Sequence, residues 1–161
     1  MIRRATSADA PAIAALWNPW IRDSAVTFNP TPKTVRDVAR LIATRPAVLV
    51  SADPGTSDIA GFATYGQFRA GAGYATCMEH TIVLSPQARR HGLGRALMHA
   101  VEHHAAHHGA HQMIAGISGE NPEAIHFHAA LGYHEIARIP EAGFKFGRFM
   151  DLVLMGKFLL S

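Results

Sequence analysis

The sequence predicts a mixed α/β fold, a twisted sheet with helices packed on its faces. Three observations carry that expectation. Short apolar runs of strand character recur along the chain, and stretches with an apolar period of about 3.6 residues lie between them. Their order is strand, two helices, three strands, helix, strand, helix, two strands, which requires both antiparallel neighbours and strands joined across a helix. At 161 residues the chain suits one domain, 1–161, with a real core and no room for a second of ordinary size.

Ile2 to Ala5 reads as a short strand. Ser7 and Asp9 are cap candidates, and Pro11 suits a first helical turn. Ile13, Leu16, Trp17, Trp20 and Ile21 keep helical spacing, although Pro19 should kink or end that helix. After Asn29-Pro30-Thr31-Pro32 breaks the chain, Thr34 and Asp37 form a capping-box pattern ahead of an amphipathic run, Val35 to Ile42. Ala47 to Ala52 and Ile59 to Phe68 are strands joined by a turn at Asp53-Pro54-Gly55. Beyond Gly71 and Gly73, Tyr74 to Leu84 reads as one long strand. The apolar face from Leu93 to His104 marks a helix closed by Gly109, and Met113 to Ile117 a strand. Asn121-Pro122 opens a short helix that stops at Gly132; Tyr133 to Ile139 and Phe149 to Leu160 finish as antiparallel strands across a Gly143 to Gly147 loop.

Composition narrows the function. Hydrophobic residues at 48% and charged residues at 17% exclude a disordered chain. No run approaches the ~20 apolar residues of a membrane span, and the start lacks a signal-peptide core, so a soluble cytoplasmic protein with no membrane partner is expected. Cys77 stands alone, which rules out an internal disulfide. A formal charge of +3 suits an anionic ligand, but no basic run with interleaved aromatics points to nucleic acid.

The strongest local signal is Arg89-Arg90-His91-Gly92-Leu93-Gly94-Arg95, between a strand and a helix. Glycines there let backbone approach a ligand, and N–H groups at a helix start point at an anion. The segment lacks the Gly-Lys-Ser/Thr of a P-loop and the third glycine of a dinucleotide fingerprint. Arg89-x-x-Gly92-x-Gly94 resembles the acyl-CoA motif of the GNAT superfamily, and the order of elements agrees with that fold. More narrowly, Gly73 to His80, Ile114 to Ile117 with Glu120-Asn121, and Gly143 to Arg148 with Asp151-Leu152 resemble the phosphinothricin and methionine sulfoximine acetyltransferases, a likeness running from about Ile2 to Met155.

The resemblance implies a mixed sheet whose fourth and fifth strands splay apart, acetyl-CoA as co-substrate with no metal, a small-molecule amine as acceptor, and a homodimer. It places Ile82, Val83 and Leu84 along the pantetheine arm, Arg90, His91, Gly92, Leu93, Gly94 and Arg95 around the pyrophosphate, and Asn121 on the arm; from spacing alone Asn121 is equally a helix cap. An amine that arrives protonated needs a base, and the family's base falls on Glu79, otherwise a carboxylate paired with a nearby cation. His128 stands where many GNAT proteins carry a tyrosine acid for the leaving thiolate, with Tyr133 or water as alternatives.

For the acceptor, Arg69, Lys145 and Arg148 offer cations to an anionic amino-acid analogue, Ala72, Gly73 and Tyr74 match a stretch bordering the family's substrate, and Phe28 supplies a wall. The chain departs from its relatives there: Ala72 replaces Asp, Ala75-Thr76-Cys77 replaces Arg-His-Thr, and Phe28 and Phe149 replace tryptophans. His99, His103 and His107, and separately His104 and His108, share helix faces, but without a His-Glu-x-x-His motif they read as solvated histidines. The expected reaction is direct acetyl transfer in a ternary complex. Its rivals are acetylation of a protein or peptide, and a non-catalytic CoA-binding module.

Overall fold

A computed structural model describes residues 1–52 and 58–160, so the expected turn at Asp53-Pro54-Gly55 lies outside the described residues. Among them, seven strands form one sheet: β1 (Ile2–Arg4), β2 (Ala47–Ala52), β3 (Ile59–Gln67), β4 (Cys77–Leu84), β5 (Gln112–Ser118), β6 (His134–Lys145) and β7 (Arg148–Phe158). They lie in the order β1-β2-β3-β4-β5-β7-β6, with β4 and β5 parallel and the other pairs antiparallel. The helices are α1 (Ala10–Asp23), α2 (Val35–Thr44), α3 (Leu93–His107) and α4 (Pro122–Ala130).

Strand alternation divides the core in two. Ala63 and Tyr65 of β3 and Met113 and Ala115 of β5 pack with Leu97, Met98 and Val101 of α3. Phe62, Val48 and Val50 point to the other face and pack with Ile13 and Ala14 of α1 and Val38 of α2. Leu97, Met98 and Val101 are fully buried, and burial of each such side chain stabilises the fold by about 1.5–3 kcal/mol.

The structure corrects several local expectations. Asp9, one of the two expected caps, stands at the N-cap of α1, while Thr6 rather than Ser7 heads the 3-10 turn before it, its backbone N–H donating to the Asp9 carboxylate at 2.8 Å. Pro19 does not end α1; it and Ala15, whose carbonyl loses its donor, are both exposed, so water can replace the missing bond. Tyr74 to Thr76 do not extend β4: Ala72–Tyr74 is a 3-10 turn following Gly71 at φ 114°, and pairing with β3 starts at Met78. β6 continues through Gly143 to Lys145 after a register shift beyond Ile139, so only Phe146-Gly147 turns the hairpin. The Thr34 capping box is present, with Asp37 N–H donating to Thr34 Oγ1 at 3.0 Å and Thr34 N–H donating to Asp37 Oδ2 at 2.9 Å.

Candidate active site

β4 and β5 are in register only where Cys77–Glu79 faces Gln112–Ile114. Beyond that, β4 follows β3 to Leu84 while β5 follows β7 to Ser118, and a cleft of about 850 Å³ opens between them. Its walls include Trp17, Trp20, Phe28, Phe127, Asn121 and Leu152.

The pleat decides which backbone groups face this cleft. The Cys77 carbonyl accepts from Phe68 N–H at 2.9 Å, and Ser85 N–H donates to the Ala60 carbonyl at 2.8 Å. Odd positions of β4 therefore turn their backbone groups to β3, and His80, Ile82 and Leu84 turn theirs to the gap. Of the three expected backbone contacts, Ile82 and Leu84 fit; Val83 lines the cleft by its side chain while its N–H and C=O face β3. The Leu84 carbonyl is already taken by the Trp20 indole N–H at 3.1 Å.

At one end of the cleft α3 begins after Arg90 at φ 67° and Gly92 at φ 77°. The first N–H groups of the helix, from Leu93 to Arg95, have no carbonyl one turn back, as an anion site requires. The two glycines serve different ends. A methyl on Gly92 would meet nothing within 4 Å, whereas one on Gly94 would stand 3.1 Å from Leu84 Cδ1 and from the Phe127 ring. Gly92 thus provides left-handed backbone beside open space, and Gly94 lets α3, β4 and α4 close together. Arg90 and Arg95 line the cleft; His91 and Leu93 do not, His91 being exposed and Leu93 packed against the core. Arg89 lies over Trp20 at 4.8 Å and pairs with Glu123 at 3.0 Å, forming part of the rim. Asn121 does cap α4, accepting from Ala124 N–H at 3.2 Å, and also faces the cleft.

Glu79 and His128 both line the cleft, on opposite faces of β4. A methyl on Gly116 would come within 2.8 Å of Glu79 Oε2, so the carboxylate lies over a β5 position kept free of side chain. Burial pushes the Glu79 carboxyl above its ordinary pKa, partly opposed by Arg45. On the other face, His128 Nδ1–H donates to the Ala124 carbonyl at 2.7 Å, a tautomer assigned from its partner. That leaves His128 Nε2 as acceptor for His80 Nε2–H, 3.1 Å away. Burial, then the neighbouring His128, pulls His80 down to about 3, and burial lowers His128 as well. His80 Nδ1 is buried with no hydrogen-bond partner among the described residues. Tyr133, the alternative acid, donates its hydroxyl to Glu102 at 2.9 Å and is 2% exposed, outside the cleft lining.

The acceptor cations are placed differently from expectation. Lys145 is turned inward, 3% exposed, and its ammonium donates to the carbonyls of Ile21, Ser24 and Thr27. It caps the C-terminus of α1 rather than meeting a ligand. Arg148 grips Glu120 with two bonds of 2.7 and 3.1 Å. Arg69 lies over Tyr74 at 5.3 Å, in an exposed turn with Ala72 and Gly73, outside the cleft lining. Phe28 does form a wall, its ring packed where a Gly143 side chain would stand. Sequence reasoning missed His80, although the alternation of β4 sends it to the side opposite Glu79; it also missed Trp17, Trp20, Thr27 and Gly116, which no local pattern marks. On α3, His104 is held by Tyr65 Oη at 2.8 Å and Arg4 at 3.0 Å. No group of three His, Cys, Asp or Glu among the described residues is arranged to hold a metal ion.

Residues 14–133 match the model of the acetyltransferase (GNAT) family. The chain is 35% identical to the L-amino acid N-acyltransferase MnaT of Escherichia coli, over 96% of this chain and 91% of that protein. It is 32% identical to the L-methionine sulfoximine/L-methionine sulfone acetyltransferase of Pseudomonas aeruginosa, with the same coverage. An acetyltransferase of Salmonella typhimurium solved with acetyl-CoA superposes with a TM-score of 0.93 at 32% identity, covering 100% of this chain and 94% of that one.

Proposed function

The chain belongs to the GNAT acetyltransferase family, and from that premise we propose that it moves acetyl from acetyl-CoA directly to the amine of a small amino-acid analogue of the methionine sulfone, methionine sulfoximine or phosphinothricin kind. The observation that carries this is the Glu79 carboxylate over Gly116, reaching across the gap between the splayed strands. The helix start at Gly92 receives the pyrophosphate, Arg90 and Arg95 add charge beside it, and Asn121 meets the arm from α4. Ile82 and Leu84 turn backbone N–H groups into the gap, where they stabilise charge developing on the acyl oxygen. Glu79 takes the ammonium proton, and its raised pKa makes it a stronger base than an exposed carboxylate. The leaving sulfur recovers the proton that the nitrogen sheds on acylation, with His128 as its relay once its Nε2 gives up the hydrogen bond from His80 to take that proton. Trp17, Phe28 and Leu152 line the cleft with apolar surface.

Phe144, Phe146 and Phe149 are 56%, 52% and 62% exposed on the β6–β7 hairpin. Such a cluster favours burial against a second copy, and a cytoplasmic homodimer completes the reading. Light scattering of the purified protein tests the dimer.

Acetyl-CoA turnover over a panel of free amino-acid analogues and peptides tests the activity. Methionine sulfone and sulfoximine should give the highest specificity constants. Ala75, in place of the Arg of the resembled stretch, offers no cation to a phosphinate, and a missing charge-assisted contact worth about 1.5–3 kcal/mol places phosphinothricin about tenfold to hundredfold lower. A peptide at the head of the panel would favour a protein acceptor, and acetyl-CoA binding without turnover of any amine would leave a CoA-binding module.

A further inference from the structure

The geometry points to Arg45 as the residue that holds the acceptor's α-carboxylate beside Glu79, an assignment that rests on the small amino-acid reading above. Arg45 follows α2, and its side chain crosses onto β3. A methyl on Gly66 would overlap the guanidinium, which therefore occupies the side-chain position of that glycine. Gly66 is the register partner of Glu79 across the antiparallel β3–β4 pair. Directly opposed residues share a face of the sheet, with side chains about 4.5–5.5 Å apart at Cβ. A cation and a carboxylate thus stand side by side on the face shared with α1 and α2. The electrostatic influence of Arg45 on Glu79 is a second sign of that closeness.

The charges left for an anionic acceptor single out the same residue. Lys145 is enclosed by three carbonyls, Arg148 by the two oxygens of Glu120, and Arg69 lies over Tyr74 in an exposed turn; Arg45 is itself outside the cleft lining and borders it through Glu79, which lines it. Arg45 is half-buried, and among the described residues no oxygen hydrogen-bonds its guanidinium. A half-buried guanidinium whose N–H groups meet no oxygen among the described residues can still bind an anion when one is supplied. An α-amino acid carries its ammonium and carboxylate on one carbon, so the ammonium can meet Glu79 while the carboxylate meets Arg45. The planar fork suits a carboxylate with two parallel bonds, and it selects free α-amino acids over amines that lack the acid group.

The test compares L-methionine sulfone with its α-carboxamide, using wild-type protein, Arg45→Gln and Arg45→Lys, with melting temperature and acetyl-CoA KM measured alongside. The wild type should prefer the acid through KM. Arg45→Gln should raise KM for the acid about tenfold to hundredfold and leave the amide and acetyl-CoA values nearly unchanged, with Arg45→Lys in between. A residue that only tuned Glu79 or supported the fold would change acid and amide equally and shift the pH profile of kcat; that result, or a preference for the acid that survives in Arg45→Gln, overturns the assignment while leaving the proposed activity intact. Wild-type protein that turns over neither compound but acetylates a peptide overturns the amino-acid reading itself, and this assignment with it.

Discussion

The two faces of β4 answer the same burial in opposite ways. On the side of α1 and α2, burial raises Glu79 and strengthens it as a proton acceptor. On the side of α3 and α4, it pulls His80 down to about 3 and lowers His128, so both rings are neutral near neutral pH. Loss of water disfavours the charged form in each case, and the sign follows from whether that form is the base or the acid. One strand can therefore serve a proton acceptor on one face and a neutral, hydrogen-bonded pair on the other, because adjacent residues project oppositely. In the proposed reaction the difference suits Glu79 to the harder task, deprotonating the acceptor.

Glu79→Gln breaks the comparison most directly. It keeps the size and one acceptor oxygen but cannot take a proton, so kcat should fall about a hundredfold to ten-thousandfold. Acetyl-CoA affinity should hardly change, and higher pH should restore part of the rate. A stable variant with wild-type turnover and an unaltered pH profile would remove Glu79 as the base.

The two glycines at the start of α3 sharpen the picture at the cofactor end. Gly92→Val should weaken acetyl-CoA binding about tenfold, because it places a branched side chain on left-handed backbone facing the open cleft. Gly94→Val should act through packing, lowering stability by about 1–3 kcal/mol as it forces Leu84 and Phe127 apart. Calorimetric titration and thermal melting on both variants separate the effects; the reverse pattern would exchange the two roles.

A further effect, away from catalysis, is a pH dependence of stability. His80 has a folded pKa of about 3, below its ordinary value of 6.5, so between those limits the unfolded chain binds the extra proton. Stability is fully present above about pH 6.5 and is lost as pH falls toward about 3, with a slope of up to about 1.4 kcal/mol per unit. Melting temperatures from pH 7 to 4 should decline less steeply in His80→Leu. Equal slopes in the two proteins would mean that His80 is hydrated in the folded state.

The order of elements, the sheet covered by helices and the glycine turn ahead of α3 could be read from the chain because their signals are local: periodic apolar positions, a capping box at Thr34, glycines before a helix. The acceptor end could not. Lys145 and Arg148 look alike in sequence as exposed cations of a loop, and only the continuation of β6 past its register shift turns one inward and leaves the other over Glu120. Arg45 follows an ordinary helix, and nothing nearby says that its guanidinium will cross to Gly66. The difference between Gly92 and Gly94 likewise depends on Leu84 and Phe127, which come from other elements.

The inward Lys145 also bears on the order in which the molecule is assembled. Its bond to the Ile21 carbonyl joins residues 124 positions apart, whereas β4, α3, β5 and α4, which surround the cofactor end, are consecutive in the chain. Contacts of such sequence separation carry a greater loop-closure cost and form late in folding. During synthesis, the segment from Ser24 to Phe28 must wait for β6 before its carbonyls find their cation, so the acceptor wall should be the last part of the site to become ordered, and the first to loosen when the terminal hairpin frays.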